Sequence, residues 1–320
     1  MNAHSRFAGL AAALACALLA PSASAETRTT HVAGNIYLIT GAGGNVTASV
    51  GDSGVLLVDA GAADMTDDLL AAIDGLSDGT IRYIVNTSVL PEHMGGNPAV
   101  RAAGDTFTGG NATVVGGVDE GAEVIGHESA LLRLAMAGIP GDRLPTETFF
   151  VPKLDKYFNG EPVEIFYRPN AVDDTNLVVH FRRSDVIATG DVFRLDRYPT
   201  IDLEHGGSIN GILDTLNWLV DLAVTDKLAE GGTLLVPGHG RIADEGDLVR
   251  YRDMLTVIRD RVAAMIERDH SLRDIQRMGL TLEYESRWGR DPAWTGEDFI
   301  EAVYETLIND PRELQLSSLR

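Results

Sequence analysis

Three stretches of this chain place side chains that can hold a cation or move a proton just where a secondary element ends. Residues 84–97, I-V-N-T-S-V-L-P-E-H-M-G-G-N, read as a buried strand, a polar turn, a helix opened by Pro91 and a Gly-Gly-Asn break. Glu92 and His93 set a carboxylate beside an imidazole at that helix start. Asp191 follows the run V-I-A-T-G, and His239 sits within P-G-H-G after L-L-V. Carboxylates and imidazoles are ligands for divalent cations and also general acids and bases. Each residue has a plainer use. Glu92 and His93 can cap the helix, Asp191 can accept backbone N–H groups at a sheet end, and His239 can be a core histidine beside a tight turn. The one cysteine, Cys16, lies in a segment expected to be removed, so any metal has to be held by His, Asp and Glu.

The elements that must position these groups follow from pattern. Residues 35–41, 45–50 and 54–59 are expected as short strands between Gly-rich turns, 64–76 as a helix and 81–85 as a strand. The helix opened by Pro91 is expected to reach Ala103, residues 113–116 and 123–125 are strand-like, and 127–137 form an amphipathic helix. Asn159-Gly160, between Lys156-Tyr157-Phe158 and residues 163–167, signals a hairpin. Strands are expected at 177–181, 186–189 and 233–236, and helices at 208–224, 247–270, 272–278 and 296–307. Two β-rich halves, each closed by helices, imply an α/β (α+β) chain. Its architecture is an αββα sandwich of two mixed β-sheets flanked by helices. It is expected as one domain over 26–270, with 271–320 as a helical C-terminal appendage.

Residues 1–25 read as a secretory signal peptide: Arg6, an apolar run over 7–19, and Ala23-Ser24-Ala25 as an A-x-A cleavage site. The expected location is periplasmic or secreted. A lipoprotein anchor through Cys16 is the lesser alternative, because the apolar run continues past it. No later segment has the length and apolarity of a membrane span. The formal charge of −21 disfavours nucleic acid and anionic membrane surfaces. The expected partner is a small-molecule substrate or ligand, and nothing in the sequence speaks to oligomeric state.

Four segments in order give the chain a family resemblance: L-L-V-D-A-G (56–61), the 84–97 stretch, V-I-A-T-G-D-V-F (186–193) and L-V-P-G-H-G (235–240). Together they resemble the metallo-β-lactamase superfamily, whose second motif is usually N-T-H-x-H-x-D-H-x-G-G-N. The resemblance covers roughly residues 35–255. It implies two metal sites, and this chain departs from one of them. The three His of the family's first site align with Ser88, Leu90 and Val172. Two of these replacements are aliphatic, so that site is lost. The second site's ligands align with Glu92, His93, Asp191 and His239, all able to bind metal. The resemblance thus implies one zinc ion at most, with manganese or iron as alternatives.

A metal held there would activate water against an ester, lactone or amide, with Asp191 orienting or deprotonating that water and His239 completing the site. Ser88, Asp173, Asp174 and His205 are candidate substrate or substitute-ligand positions. The alternative is a catalytically inactive family member that binds a small ligand or a protein partner in the former cleft. A third reading keeps catalysis without metal, with Asp191 or His239 as general base. Among weaker features, Gly206-Gly207-Ser208 before a helix suits a cap or an anion cradle. His127-Glu128 opens a helix that can cover the site.

Overall fold

The protein is described here by a computed structural model covering residues 26–105, 121–225 and 231–309. The signal-peptide reading of residues 1–25, with Cys16, and the strand expected at 113–116 lie outside those residues. The first sheet holds β1 (Arg28–Ala33), β2 (Ile36–Ala42), β3 (Gly44–Gly51), β4 (Gly54–Val58), β5 (Ile81–Val85), β6 (Glu123–His127) and β7 (Glu147–Phe149) in that spatial order. Pairing is antiparallel from β1 to β4 and parallel from β4 to β7. The second sheet holds β8 (Lys153–Phe158), β9 (Glu161–Tyr167), β10 (Leu177–Phe181), β11 (Val186–Gly190) and β12 (Leu234–Pro237). It is antiparallel except for the parallel β11–β12 pair.

Strand side chains alternate between faces, so continuous apolar runs serve two cores at once. In β4, Leu56 and Val58 enter the core between the sheets. Val55 and Leu57 enter the core beneath α1 (Thr66–Asp74) and, beyond the short α2 (Pro91–Met94), α3 (Asn97–Ala102). In β11, Val186 and Ala188 face the other sheet, whereas Ile187 faces a third core. After α4 (Glu128–Met136) on the first half, that third core is covered by α5 (Ile209–Leu222) and α6 (Glu245–Ile266). It also takes Ile275 of α7 (Leu272–Arg277), Trp288 of α8 (Glu285–Trp288) and Phe299 of α9 (Gly296–Asn309). The layers therefore run helix, sheet, sheet, helix, the αββα sandwich expected from the sequence.

The helix expected from Pro91 to Ala103 is in fact two. Gly96 packs against the loop after β4, its N–H donating to Gly61 O at 3.0 Å. A side chain at Gly96 would meet Ala60 O at 2.2 Å, so the helix breaks at Gly95-Gly96 to let the two backbones touch. Strands β1 and β7 and helix α8 were not expected. The turn after β11 is tied to distant chain. Tyr198 N–H donates to Trp288 O, Trp294 Nε1–H donates to Pro199 O, and Arg197 pairs with Asp291.

Candidate metal centre

The chemistry-bearing residues meet where the carboxyl ends of β4, β5, β11 and β12 come together. The frame is built from Asp59, at φ 71° just past β4. Its carboxylate accepts Thr87 N–H and Thr87 Oγ1–H, each at 2.7 Å, and His93 Nδ1–H at 2.8 Å. Asn86 and Asn97 exchange side-chain amide bonds at 3.1 and 2.7 Å, closing the turn from β5 to α3. Asn45 ties the two sheets together at this edge, its side chain donating to Pro237 O and Gly240 O at 2.8 and 2.9 Å. Gly190, at φ 53°, lies where a side chain would strike Thr87 Oγ1 at 2.6 Å. At Gly238 a Cβ would lie 2.1 Å from Asp191 Oδ1. The glycines of T-G-D and P-G-H are therefore required by close approach around Thr87 and Asp191.

Within that frame Glu92, His93, Asp191 and His239 each offer a ligand atom, and the four atoms all lie within 4.8 Å of one another. His93 Nε2 stands 3.2 Å and His239 Nε2 3.7 Å from Asp191 Oδ1. All three atoms are buried, and none has a hydrogen-bond partner. Because Asp59 takes the Nδ1 proton, a neutral His93 presents a lone pair at Nε2. Two lone-pair atoms at this distance repel unless a cation lies between them, either a metal ion or a proton on His93. The four donors therefore fit a divalent metal, with two imidazoles and two carboxylates.

The electrostatics agree. Burial alone would lower the His93 pKa, but Asp59 and Asp191 on either side raise it well above the usual histidine value. Burial would raise the Asp191 carboxyl, yet His93, Arg194 and His239 hold it well below the usual carboxylate range. Burial keeps the pKa of His239 below the ordinary value, with Asp191 opposing and Arg194 and His93 reinforcing that shift. A metal would meet one ionised carboxylate, one neutral imidazole and one imidazole that must first give up a proton.

Arg194 was not singled out from the sequence, and it decides how Asp191 can be used. Its guanidinium is buried, with Nη1 2.6 Å from Asp191 Oδ2. Nε and Nη2 bind the two oxygens of Asp196 at 3.0 and 2.8 Å. One oxygen of Asp191 thus faces the two histidines and the other is held by a permanent cation. Asp59 likewise received no site role from the sequence, although its strand-end motif was recognised. Its D-A-G ending was the available signal, and for Arg194 it was the D-x-x-R-x-D spacing, an i,i+3 charge pair.

The remaining candidates are not members of the four-residue cluster. Ser88 is buried, and its Oγ accepts Leu90 N–H at 3.3 Å. Val172 is buried and its carbonyl accepts Asp202 N–H. Asp173, Asp174 and Asp202 all converge on Arg133, at 3.0, 3.1 and 2.8 Å. His205 Nδ1 bonds Asp202 at 2.8 Å. Asp173, Asp174 and His205 therefore form a separate ion-pair network outside the four-residue cluster. His127 caps α4, accepting Ser129 N–H at Nδ1, and stacks on Tyr167 with ring centres 3.4 Å apart. Ser208 caps α5 by accepting Gly211 N–H at 2.8 Å. No helix among the described residues is long and apolar enough to cross a membrane.

No sequence-family model matches the chain, and no curated protein matches it in sequence. Solved structures do match. A metallo-beta-lactamase from Pontibacter korlensis superposes with a TM-score of 0.55 at 15% identity, over 72% of this chain and 99% of its own. A stereoselective inverting sec-alkylsulfatase from Pseudomonas sp. gives a TM-score of 0.62 at 14% identity, over 87% of this chain and 50% of its own. A double mutant of a sec-alkylsulfatase gives 0.65 at 15% identity, over 90% and 52%. This chain thus spans about half the length of the alkylsulfatases. At these identities the likeness concerns architecture. The chain has the metallo-β-lactamase fold, and at the strand ends of that fold it carries a His/Asp/Glu cluster that fits a metal site.

Proposed function

We propose that the protein is an exported hydrolase that binds a single divalent metal ion through Glu92, His93, Asp191 and His239 and cleaves an ester, lactone or amide. The observation that carries this reading is the set of three buried, unbonded ligand atoms: His93 Nε2, Asp191 Oδ1 and His239 Nε2. Arg194 supports the count of one, since Asp191 Oδ2 is already engaged. Zinc best suits this donor set, with manganese or iron as alternatives. Export rests on Arg6, the apolar run at 7–19 and Ala23-Ser24-Ala25.

When bound, a divalent cation supplies Lewis acidity and makes water acidic enough to ionise near neutral pH. The chain's own groups do the rest. Asp59 fixes the His93 ring by holding the Nδ1 proton, the orienting role that partners of metal-binding histidines play. Arg194 keeps Asp191 ionised and aimed. Glu92 and His239 are the partly exposed members, and they border the side from which a substrate arrives. His239, whose pKa burial lowers, keeps its Nε2 lone pair available to a metal.

The competing reading is a catalytically silent ligand-binding protein, and one observation favours it: a proton alone can bridge His93 Nε2 and Asp191 Oδ1 at 3.2 Å. Metal analysis after purification with zinc, manganese or iron separates the two. Hydrolase function expects close to one equivalent in the wild type, less in Glu92→Gln, and chelator-sensitive turnover of model esters. Absence of stoichiometric metal under all three supplements would sink it.

A further inference from the structure

Beside the cluster runs an apolar groove with a volume of about 540 Å³, within the size range of small-ligand pockets. Its walls come from the loop after β4, from α2, and from α4 and the turn that follows it. Ala63, Val89, Met94, Leu134 and Ile139 supply apolar surface, and among the described residues its charged lining is Asp64, Glu92 and Arg143. Glu92 belongs both to this groove and to the four-residue cluster. The sharing follows from α2 itself. His93 is fully buried and turned to Asp59 and Asp191, while its neighbours Glu92 and Met94 line the groove. The larger cavity, about 690 Å³ at the start of α5, shares no residue with the cluster and mixes Arg168 with Asp214 and Glu305.

We infer that the groove seats the hydrocarbon portion of the substrate, so that the scissile group of an alkyl or aryl acyl compound lies at the Glu92 end, against the cluster. This inference rests on the hydrolase reading above for its chemistry and on the groove for its specificity. A chain with a formal charge of −21 that keeps an apolar trough open next to polar ligands has a surface suited to methylenes rather than to ions. Ala63 is the exposed wall residue at which a larger side chain fills the trough without entering a packed core.

The test uses the metal-loaded full-length mature protein and p-nitrophenyl acetate, butyrate, hexanoate and octanoate. The expected result is a kcat/KM that climbs about three- to fourfold per methylene. In Ala63→Trp the octanoate-to-acetate ratio should collapse toward one, with metal content and melting curve retained. A flat chain-length series in the wild type, or an unchanged ratio in Ala63→Trp, overturns the inference. If none of these esters is turned over, the ester form of the hydrolase reading falls on its own, and calorimetric binding of octanoate decides the groove. Binding to the wild type that Ala63→Trp weakens at least tenfold supports it, and no binding, or equal binding by both, overturns it.

Discussion

Arg194 Nη1 lies 2.6 Å from Asp191 Oδ2, and both side chains are almost completely withdrawn from solvent. The carboxylate that would serve a metal with one oxygen is bound on the other by a guanidinium that cannot lose its charge. Burial of this kind costs desolvation free energy for both ions, which the short contact and the Asp196 fork offset. Removing one partner leaves the other charged and uncompensated. Arg194→Met should therefore destabilise the fold by about 3–5 kcal/mol, read from urea denaturation midpoints. Arg194→Lys should recover only part of this, since an ammonium cannot bind Asp191 and both oxygens of Asp196 with the same planar geometry. A midpoint unchanged in Arg194→Met would show that the pair contributes nothing net.

Metal and proton compete for His93. Its folded-state pKa is raised by Asp59 and Asp191 against the effect of burial, so below that raised value metal uptake releases one proton. Apparent affinity should climb about tenfold per pH unit below that raised value, measured by competition with a chelator of known pH dependence. The metal-free protein should show the converse in stability. A raised histidine stabilises fully below its unfolded value of about 6.5 and loses that contribution as pH rises through the folded value. Thermal melts without metal should weaken toward alkaline pH, and added metal should restore them. Affinity independent of pH would mean that His93 is not a ligand.

Asp59 makes no direct approach to the cluster centre, yet it sets which nitrogen of His93 faces Asp191. Asp59→Asn offers Thr87 and His93 one acceptor oxygen instead of two. Metal affinity should fall about 10–100-fold, a loss typical of outer-shell partners of metal-bound histidine. Titration of the variant with zinc against a fluorescent chelator gives the number, and wild-type affinity would remove Asp59 from the site.

Gly238→Ala places a methyl 2.1 Å from Asp191 Oδ1. The carboxylate has to swing away or the turn after β12 has to move. We expect loss of metal binding together with overpacking strain of about 1–3 kcal/mol. Elemental analysis alongside a melting curve checks both, and full metal occupancy in this variant would contradict the observed packing.

Much of this architecture was legible in one dimension because its strands and helices carry strong periodic signals. Runs such as Val55-Leu56-Leu57-Val58 announced buried strands, and Asn159-Gly160 announced its hairpin. Strand β1 was missed because Arg28–Ala33 is an edge strand, mostly exposed and polar, with no buried face to print an alternation. Strand β7 has three residues and α8 four, too short to show a period. The Pro91 helix looks continuous in sequence because its Gly-Gly break reflects contact with residues 60–61, which pattern alone does not reveal. The four cluster residues were found through the motifs that hold them. Arg194 was not, because a charge four residues beyond a strand ordinarily belongs to a solvated turn. Asp173 and Asp174 stand beside Val172 in sequence and His205 in a loop after Asp191, but Arg133 of α4 draws the two aspartates together with Asp202, which also binds His205.

The bonds from residues 288–294 to Tyr198, Pro199 and Arg197 have a consequence for the order of events as the chain is made. The turn that carries Arg194 is anchored by partners encoded about a hundred residues later. An emerging polypeptide can pair both sheets and bring Glu92, His93 and Asp191 into the nascent molecule well before those partners exist. The contacts that fasten the loop beside the carboxylate can form only once α8 and the segment behind it are present.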